Sequence, residues 1–229
     1  MRLDKLLCLN AIGSRKIVKI FIKTNQVKVN GHVITDETYQ VKLDKDVVYF
    51  KDFLINSNEY IYIMMNKKAG YVCANHDKVH LTVFELLNFK RNDLFTVGRL
   101  DLDTEGLLLI TNDGSLAHKI TSPKMDIVKT YYLEYIGDLP IDYEEILKKG
   151  IHFKDFTTKP AFFKPLDKNS GTIEISEGKF HQVKKMINFL GCEVTYLKRI
   201  KIGNLMLDPK LKKGEYKFLT LLDINNIFI

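Results

Sequence analysis

Apolar residues at positions 3, 6, 7 and 11 recur at helical spacing, so residues 2–12 are expected to form a short amphipathic helix. Gly13 closes it, and Ser14 is placed to cap a second helix whose apolar stripe reads as Ile17, Ile20 and Phe21. Arg15, Lys16, Lys19 and Lys23 then fall largely on its other faces. The period changes to two at Val27-Lys28-Val29, and Asn30-Gly31 turns the chain back through Val33, which predicts a β-hairpin. Val47-Val48-Tyr49-Phe50 supplies a further strand. Residues 51–58 lack either period and read as a linker, most flexible at Asn56-Ser57-Asn58, giving an expected division into domains 1–58 and 59–229.

Beyond it, Tyr60 to Met65 reads as a buried strand, followed by a turn and a short strand ending near Cys73. Short helices are expected at 82–89, 115–120, 143–149 and 181–190, the last two closed by Gly150 and Gly191. Strands are expected at 129–135, 171–175 and 194–197. Antiparallel runs broken by single helices predict an α+β fold, a sheet with helices on its flanks. There is no internal repeat and no low-complexity segment.

Composition narrows the class. The 229 residues are 45% hydrophobic and 28% charged, ordinary for a globular chain with a real core. No apolar run approaches the roughly 20 residues that span a bilayer, and an acid at position 4 interrupts any leader-like start, so a cytoplasmic protein without membrane contact is expected. Cys8, Cys73 and Cys192 lie far apart and form no CxxC pair. The net charge of +7 is concentrated at the start: residues 1–30 hold seven basic side chains against Asp4 alone. An acidic partner follows from that distribution.

The densest chemistry lies in residues 97–114, where Arg99, Asp101, Asp103 and Thr104 are pressed against an apolar run and an Asn112-Asp113-Gly114 turn. Charges so placed are costly unless paired or used. If the stretch is extended, Asp101 and Asp103 point to opposite faces, so a single carboxylate would be primary. A second cluster, Glu177 to Met186, could gather Gln182, Lys184 and Lys185 at an anionic site, with Gly178 permitting an unusual turn. His76 and His80 have no Glu beside them and lie in no clear helix, and His118 and His181 have no suitable partners, so no metal site is expected.

The Arg99-Leu100-Asp101 triplet with Thr104, Gly106 and the closing Asn-Asp-Gly resembles the catalytic motif of the bacterial rRNA pseudouridine synthases. The Glu-Gly-Lys-Phe-His-Gln-Val-Lys run is similar to a later motif of that family. Arg2-Leu3-Asp4, Ser14-Arg15 and Val27-x-Val29-Asn30-Gly31 resemble the S4 RNA-binding module, with Asn25 standing where members often have Gly. The resemblance implies a small S4-like α/β module followed by a mixed, mainly antiparallel sheet flanked by helices. It makes Asp101 the catalytic carboxylate, Asp103 a brace for its loop, Lys184 the cation that keeps Asp101 ionised, and Tyr131 the ring that packs on the target uracil. Substrate and RNA contacts would come from Arg99, Thr104, Gly106, His181, Gln182, Lys67 and Lys129, and from Arg2, Arg15, Lys16, Lys23 and Lys28 in the module. Lys68 and Lys185 stand where the family more often has Pro and Arg.

The run from Glu177 to Lys184, with Leu197-Lys198-Arg199-Ile200 beyond it, is most similar to the small-subunit (RsuA-like) branch. The implied reaction turns one uridine of 16S rRNA into pseudouridine with no cofactor and no metal, whether Asp101 attacks the sugar or the base. The expected partner is 16S rRNA or a small-subunit assembly intermediate, met by a monomer. A 23S rRNA enzyme, a non-catalytic assembly factor that kept the scaffold, and a glycoside hydrolase using Asp101 with a second carboxylate are the alternatives.

Overall fold

The opening helices form where the spacing places them, α1 at Leu3–Leu9 and α2 at Arg15–Lys23, in a computed structural model that describes residues 1–229. The face of α2 differs from the expected one. Val18 and Ile22 are buried with Leu3, Leu6 and Leu7, whereas Ile17 and Ile20 are 44% and 53% exposed. Two apolar rows are available on so short a helix, and the row chosen depends on α1 and the sheet, which the period of α2 alone does not contain.

The hairpin forms as β1, Val27–Val29, and β2, His32–Val33, with both Asn30 (φ 50°) and Gly31 (φ 83°) in the left-handed region that its tight turn requires. Asn25 is likewise left-handed, at φ 63°, the conformation that a glycine or asparagine takes at least cost. β3, Val48–Phe50, and β4, Phe53–Ile55, complete an antiparallel sheet in the order β2-β1-β3-β4. The expected linker therefore contains a strand: Ile55 is buried in the core, and the turn into β4 runs through Lys51 with φ 53°. A Lys-Asp turn carries no sequence signal comparable to Asn-Gly, so this hairpin is invisible to the pattern.

Two compact units result, Met1–Ile61 joined by Leu87–Leu94, and Tyr62–Leu86 joined by Phe95–Ile229. The first unit thus recruits residues 87–94, the first three of them expected to end a helix. The buried Arg91 guanidinium donates to Asp93 at 2.9 and 3.2 Å and to the carbonyls of Asn56 and Asn58 at 3.4 and 3.0 Å. Asn92 adds bonds to the carbonyls of Leu9 and Cys8, closing the end of α1. Only a 3-10 turn at Val83–Leu86 remains of the expected helix.

The second unit is built on a nine-stranded sheet. Its strands are β5 (Tyr62–Lys67), β8 (Phe95–Thr96), β9 (Glu105–Thr111), β10 (Lys129–Ile136), β11 (Phe162–Asp167), β12 (Ser170–Ile175), β13 (Glu193–Ile202), β14 (Leu205–Met206) and β15 (Tyr216–Phe218). β6 (Tyr71–Val72) and β7 (Leu81–Thr82) pair separately. The main order is β11-β12-β10-β13-β9-β5-β15, with β14 beside β13 and β8 beside β9. All pairs in that sheet are antiparallel except β13 with β9. The helices are α3 (Gly114–Thr121), α4 (Tyr143–Lys149), α5 (Gln182–Phe189) and α6 (Leu221–Asn225). The expected α+β class and the mainly antiparallel sheet are both present.

β9 explains the apolar run after the charged stretch. Every one of its residues is buried, because it is an inner strand whose two faces are both covered. Met64, Leu107, Leu109, Leu116, Ile120, Ile202 and Ile224 form the core beneath α3 and α6. Asp113 caps α3 by accepting the Leu116 N–H at 3.0 Å, so the Asn-Asp-Gly turn is the helix entry.

Gly106 in β9 fixes how closely the strands meet. At φ 98°, a Cβ there would lie 2.2 Å from the Arg199 carbonyl oxygen and 2.9 Å from its nitrogen. Both are backbone atoms that cannot step aside. Gly106→Ala is expected to destabilise the protein by more than about 3 kcal/mol, read as a lower denaturant midpoint with an unchanged slope.

Candidate active site

Five strands place the site in one row. Lys67 of β5 stands opposite Gly106 of β9, Gly106 opposite Arg199 of β13, Arg199 opposite Tyr131 of β10, and Tyr131 opposite Ile173 of β12. The residues between β8 and β9 form the loop that carries Asp101 and Asp103 over this row. The loop is a turn, closed by the Thr104 N–H donating to the Asp101 carbonyl at 3.1 Å. The extended geometry considered for the sequence does not occur, and the two carboxylates converge instead of diverging.

Lys184 of α5 is where they converge. Its Nζ lies 2.6 and 2.7 Å from the two oxygens of Asp103 and 3.8 Å from Asp101 Oδ2. The tight ion pair is therefore with Asp103, and the expected Lys184–Asp101 pairing exists only as the longer contact. Burial works against the charge of Asp103, but the Lys184 hydrogen bond and attraction outweigh it and hold that carboxyl below its ordinary range. Asp101 keeps its oxygens free of short ion pairs while lying in the field of the same ammonium. His181 completes the group, with Nε2 at 3.6 Å from Asp101 Oδ1. It caps α5 in the left-handed conformation, φ 53° and ψ 31°, a strained geometry for a non-glycine residue.

An open cleft beside Asp101 is lined by Arg99, Thr104, Tyr131, His181, Lys184 and Leu197, among others. Tyr131 is 8% exposed, so what it offers the cleft is a ring surface. Arg99 is exposed and makes no ion pair. The Thr104 hydroxyl is buried without a hydrogen-bond partner.

Several expected contacts turn out to be supports. Lys67 is fully buried, and its ammonium donates to the carbonyls of Lys68, Asp101, Leu102 and Thr104 at 2.8 to 3.3 Å. It grips the loop of Asp101 from below and cannot reach RNA. Gln182 is also buried, its amide bonded to Glu177 and its oxygen accepting the Lys179 N–H, which folds residues 177–182 onto α5. Gly106 serves strand packing. Lys129 is buried at the start of β10. Burial first, and the positive charge of Arg199 second, bring its pKa down to about 8.

Arg199 is the site residue that sequence reading passed over. It is 4% exposed, donates Nε–H to the Leu107 carbonyl at 2.7 Å, and lies 6.0 Å from the Tyr131 ring centroid. Its Nη2 is buried with no partner. The available signal was its position, in phase with inward-facing Leu197 on β13.

In the N-terminal unit, Arg15, Lys16 and Lys28 are exposed and carry no ion pair. Lys23 shares Glu37 with Lys19, at 3.4 and 3.3 Å. Arg2 forms a two-bond pair with Asp4 at 2.9 and 3.0 Å, so its guanidinium is largely committed within the fold. Lys28 lies on the outer face of the sheet opposite Val33 and Tyr49, and not on the helical face.

A carboxylate held in a cationic frame beside an aromatic ring, preceded by a basic helical unit, defines a class of enzyme that works on a nucleobase. Residues 61–189 match the RNA pseudouridylate synthase family model and residues 1–48 the S4 domain, and the chain belongs to the RNA pseudouridylate synthases. It is 41% identical to the uncharacterized RNA pseudouridine synthase YtzG of Bacillus subtilis, over 96% of this chain and 95% of that one. It is 37% identical to ribosomal small subunit pseudouridine synthase A of Haemophilus influenzae, over 99% of both chains, and 36% identical to the protein of that name from Escherichia coli K12, over 99% and 100%. A crystal structure of a pseudouridylate synthase superposes with a TM-score of 0.70 at 37% identity, covering 99% of each chain.

Two outcomes follow from this geometry. Asp103→Asn releases Lys184 toward Asp101 and is expected to lower kcat by about tenfold, measured as tritium release from uracil-labelled RNA. Lys129 binds its proton less readily folded than unfolded, so stability rises with pH between about 8 and the ordinary lysine value of roughly 10.5. Lys129→Met is expected to flatten that rise and to stabilise the protein at pH 7, with roughly 3 kcal/mol as the upper bound. Thermal unfolding from pH 7 to 11 checks it.

Proposed function

We propose that this protein isomerises one uridine of 16S rRNA to pseudouridine, with Asp101 as the catalytic carboxylate, Tyr131 as the ring against the target uracil and Lys184 as the cation of the site. The observation that carries the reading is the division of labour around Lys184. Asp103 takes the short ion pair, which leaves the Asp101 oxygens free of a short contact and open to the cleft beside Tyr131. The choice of the small subunit rests on relatives 36 and 37% identical over 99% of this chain, which are named for that subunit.

The chemistry conserves every atom. The target base leaves its stack at a cost of a few kcal/mol, which contact with the Tyr131 ring and the cleft offsets. Asp101 attacks the nucleotide, or stabilises positive charge on its sugar, as the bond from N1 to C1′ breaks. The uracil turns within the cleft, C5 bonds to C1′, and the proton displaced from C5 is lost while N1 gains one. Arg99 at the cleft mouth, with Arg15 and Lys16 on α2, supplies phosphate contacts. Their effect on affinity falls as salt rises.

The reading is of a monomer acting on rRNA in the cytoplasm. No helix is long and apolar enough to cross a membrane.

Wild type and Asp101→Asn are compared on 16S and 23S transcripts, with pseudouridine mapped by carbodiimide-dependent primer-extension stops. One wild-type stop in 16S is expected, absent with Asp101→Asn, whose rate should fall at least about 1,000-fold. A stop confined to 23S overturns the subunit assignment, and a stop that survives Asp101→Asn overturns the catalytic one.

A further inference from the structure

Phe180 stands outside the mechanism above, yet it lies against His181, whose Nε2 is 3.6 Å from Asp101. Its ring lies on that of His181, with centroids 3.8 Å apart and planes 18° from parallel. The side chain is nonetheless 68% exposed and belongs to neither hydrophobic core. An apolar ring this exposed contributes little to folding, and its position calls for another use.

The ring is held by more than one neighbour. The Lys185 ammonium lies 5.6 Å from the Phe180 centroid and 5.1 Å from that of Phe156, so one cation bridges two rings. His181, on which Phe180 rests, is itself fixed by its left-handed backbone and by its approach to Asp101. Carboxylate, imidazole and phenyl ring follow one another outward from the cleft. A second depression shares the His181 and Lys184 wall of the first and is also lined by Lys185, Asn188, Glu193 and Val194. The site therefore offers concave surface and cationic side chains on both sides of that wall, more than a single nucleotide would use.

Accepting the reaction just proposed, we infer that the Phe180–His181 stack is a platform for the unpaired nucleobase next to the target uridine. Turning a uridine out of its stack leaves its neighbour without a stacking partner on that side. An exposed ring backed by a second ring supplies a replacement surface, and the flanking Lys185 supplies positive charge for the adjoining phosphate. Stacking on an aromatic ring tolerates any base, because every base has a π-face. Phe180 thus holds the opened RNA strand without choosing its sequence, and it does so in the bound complex before any bond breaks.

The test uses rRNA oligonucleotides containing the target uridine, with 2-aminopurine or an abasic residue at either neighbouring position. Full-length wild type is compared with Phe180→Ala and Phe180→Trp. Wild type should quench 2-aminopurine at one neighbouring position. Phe180→Ala should lose that quenching and raise KM about tenfold while kcat changes by less than twofold, and Phe180→Trp should restore both. On RNA abasic at that position, Phe180→Ala and wild type should have the same KM. Thermal midpoints of the three proteins should agree within a degree or two, since the ring is exposed.

The inference is overturned if neither neighbour is quenched by wild type, if quenching survives Phe180→Ala, or if the KM penalty persists on abasic RNA. Quenching reports binding alone, so it decides the role of Phe180 whether or not the oligonucleotide is turned over. Failure of wild type to isomerise the target uridine counts separately, against the proposed substrate.

Discussion

A buried ammonium holding a loop of carbonyls is the constraint on which the site depends. Lys67 ends β5 beneath the loop of Asp101, and its only hydrogen bonds are to backbone oxygens. Burial lowers its proton affinity, while Asp103, Glu105 and Asp101 pull in the other direction from further away. Without it, several loop carbonyls would lose their partner in a water-poor setting, a cost of a few kcal/mol. The loop conformation in turn decides that Asp101 and Asp103 face the same lysine. The frame of the active site thus begins with a residue that never meets substrate.

The sheet transmits that constraint sideways. The row from Lys67 through Gly106 and Arg199 to Tyr131 is continuous across four strands, so a shift at one position displaces the next. Gly106 allows β13 to approach, and Arg199 places a guanidinium near the face of Tyr131. Glu105, at the start of β9, adds a second tie by accepting from Tyr196 at 2.7 Å and Lys213 at 2.6 Å. β9, at the middle of that row, is buried along its whole length, and close packing there holds such distances.

Much of this was legible in the sequence, and the exceptions have physical reasons. Local signals succeeded where the determinant is local: the Asn30-Gly31 turn, the left-handed Asn25 and the Gly150 helix stop. They failed where a third element decides, as for the buried face of α2, the strand at Phe53–Ile55 and the helix expected at 82–89. Within the site, the motif brought Asp101, Tyr131 and Lys184 to one place. It also led to reading Lys67 as a contact with RNA, because a charged side chain in a motif looks the same whether it faces a ligand or the underside of a loop. The hydrogen bonds of its ammonium, all to loop carbonyls, separate the two cases. Asp103 was read as a brace and is one, but its partner is the lysine assigned to Asp101.

Arg91 and its neighbours have a consequence for how the chain is made. The first unit needs residues 87–94 to satisfy the carbonyls of Asn56 and Asn58 and to close the end of α1. During synthesis its polypeptide therefore stays incomplete while β5, β6 and β7 emerge, and it is sealed only when residue 94 has left the exit tunnel. By then the strands of the second unit have begun to appear without their central partner, β9. The two units are interleaved in time as well as in sequence, and a cut at residue 58 or 61 would separate neither of them intact.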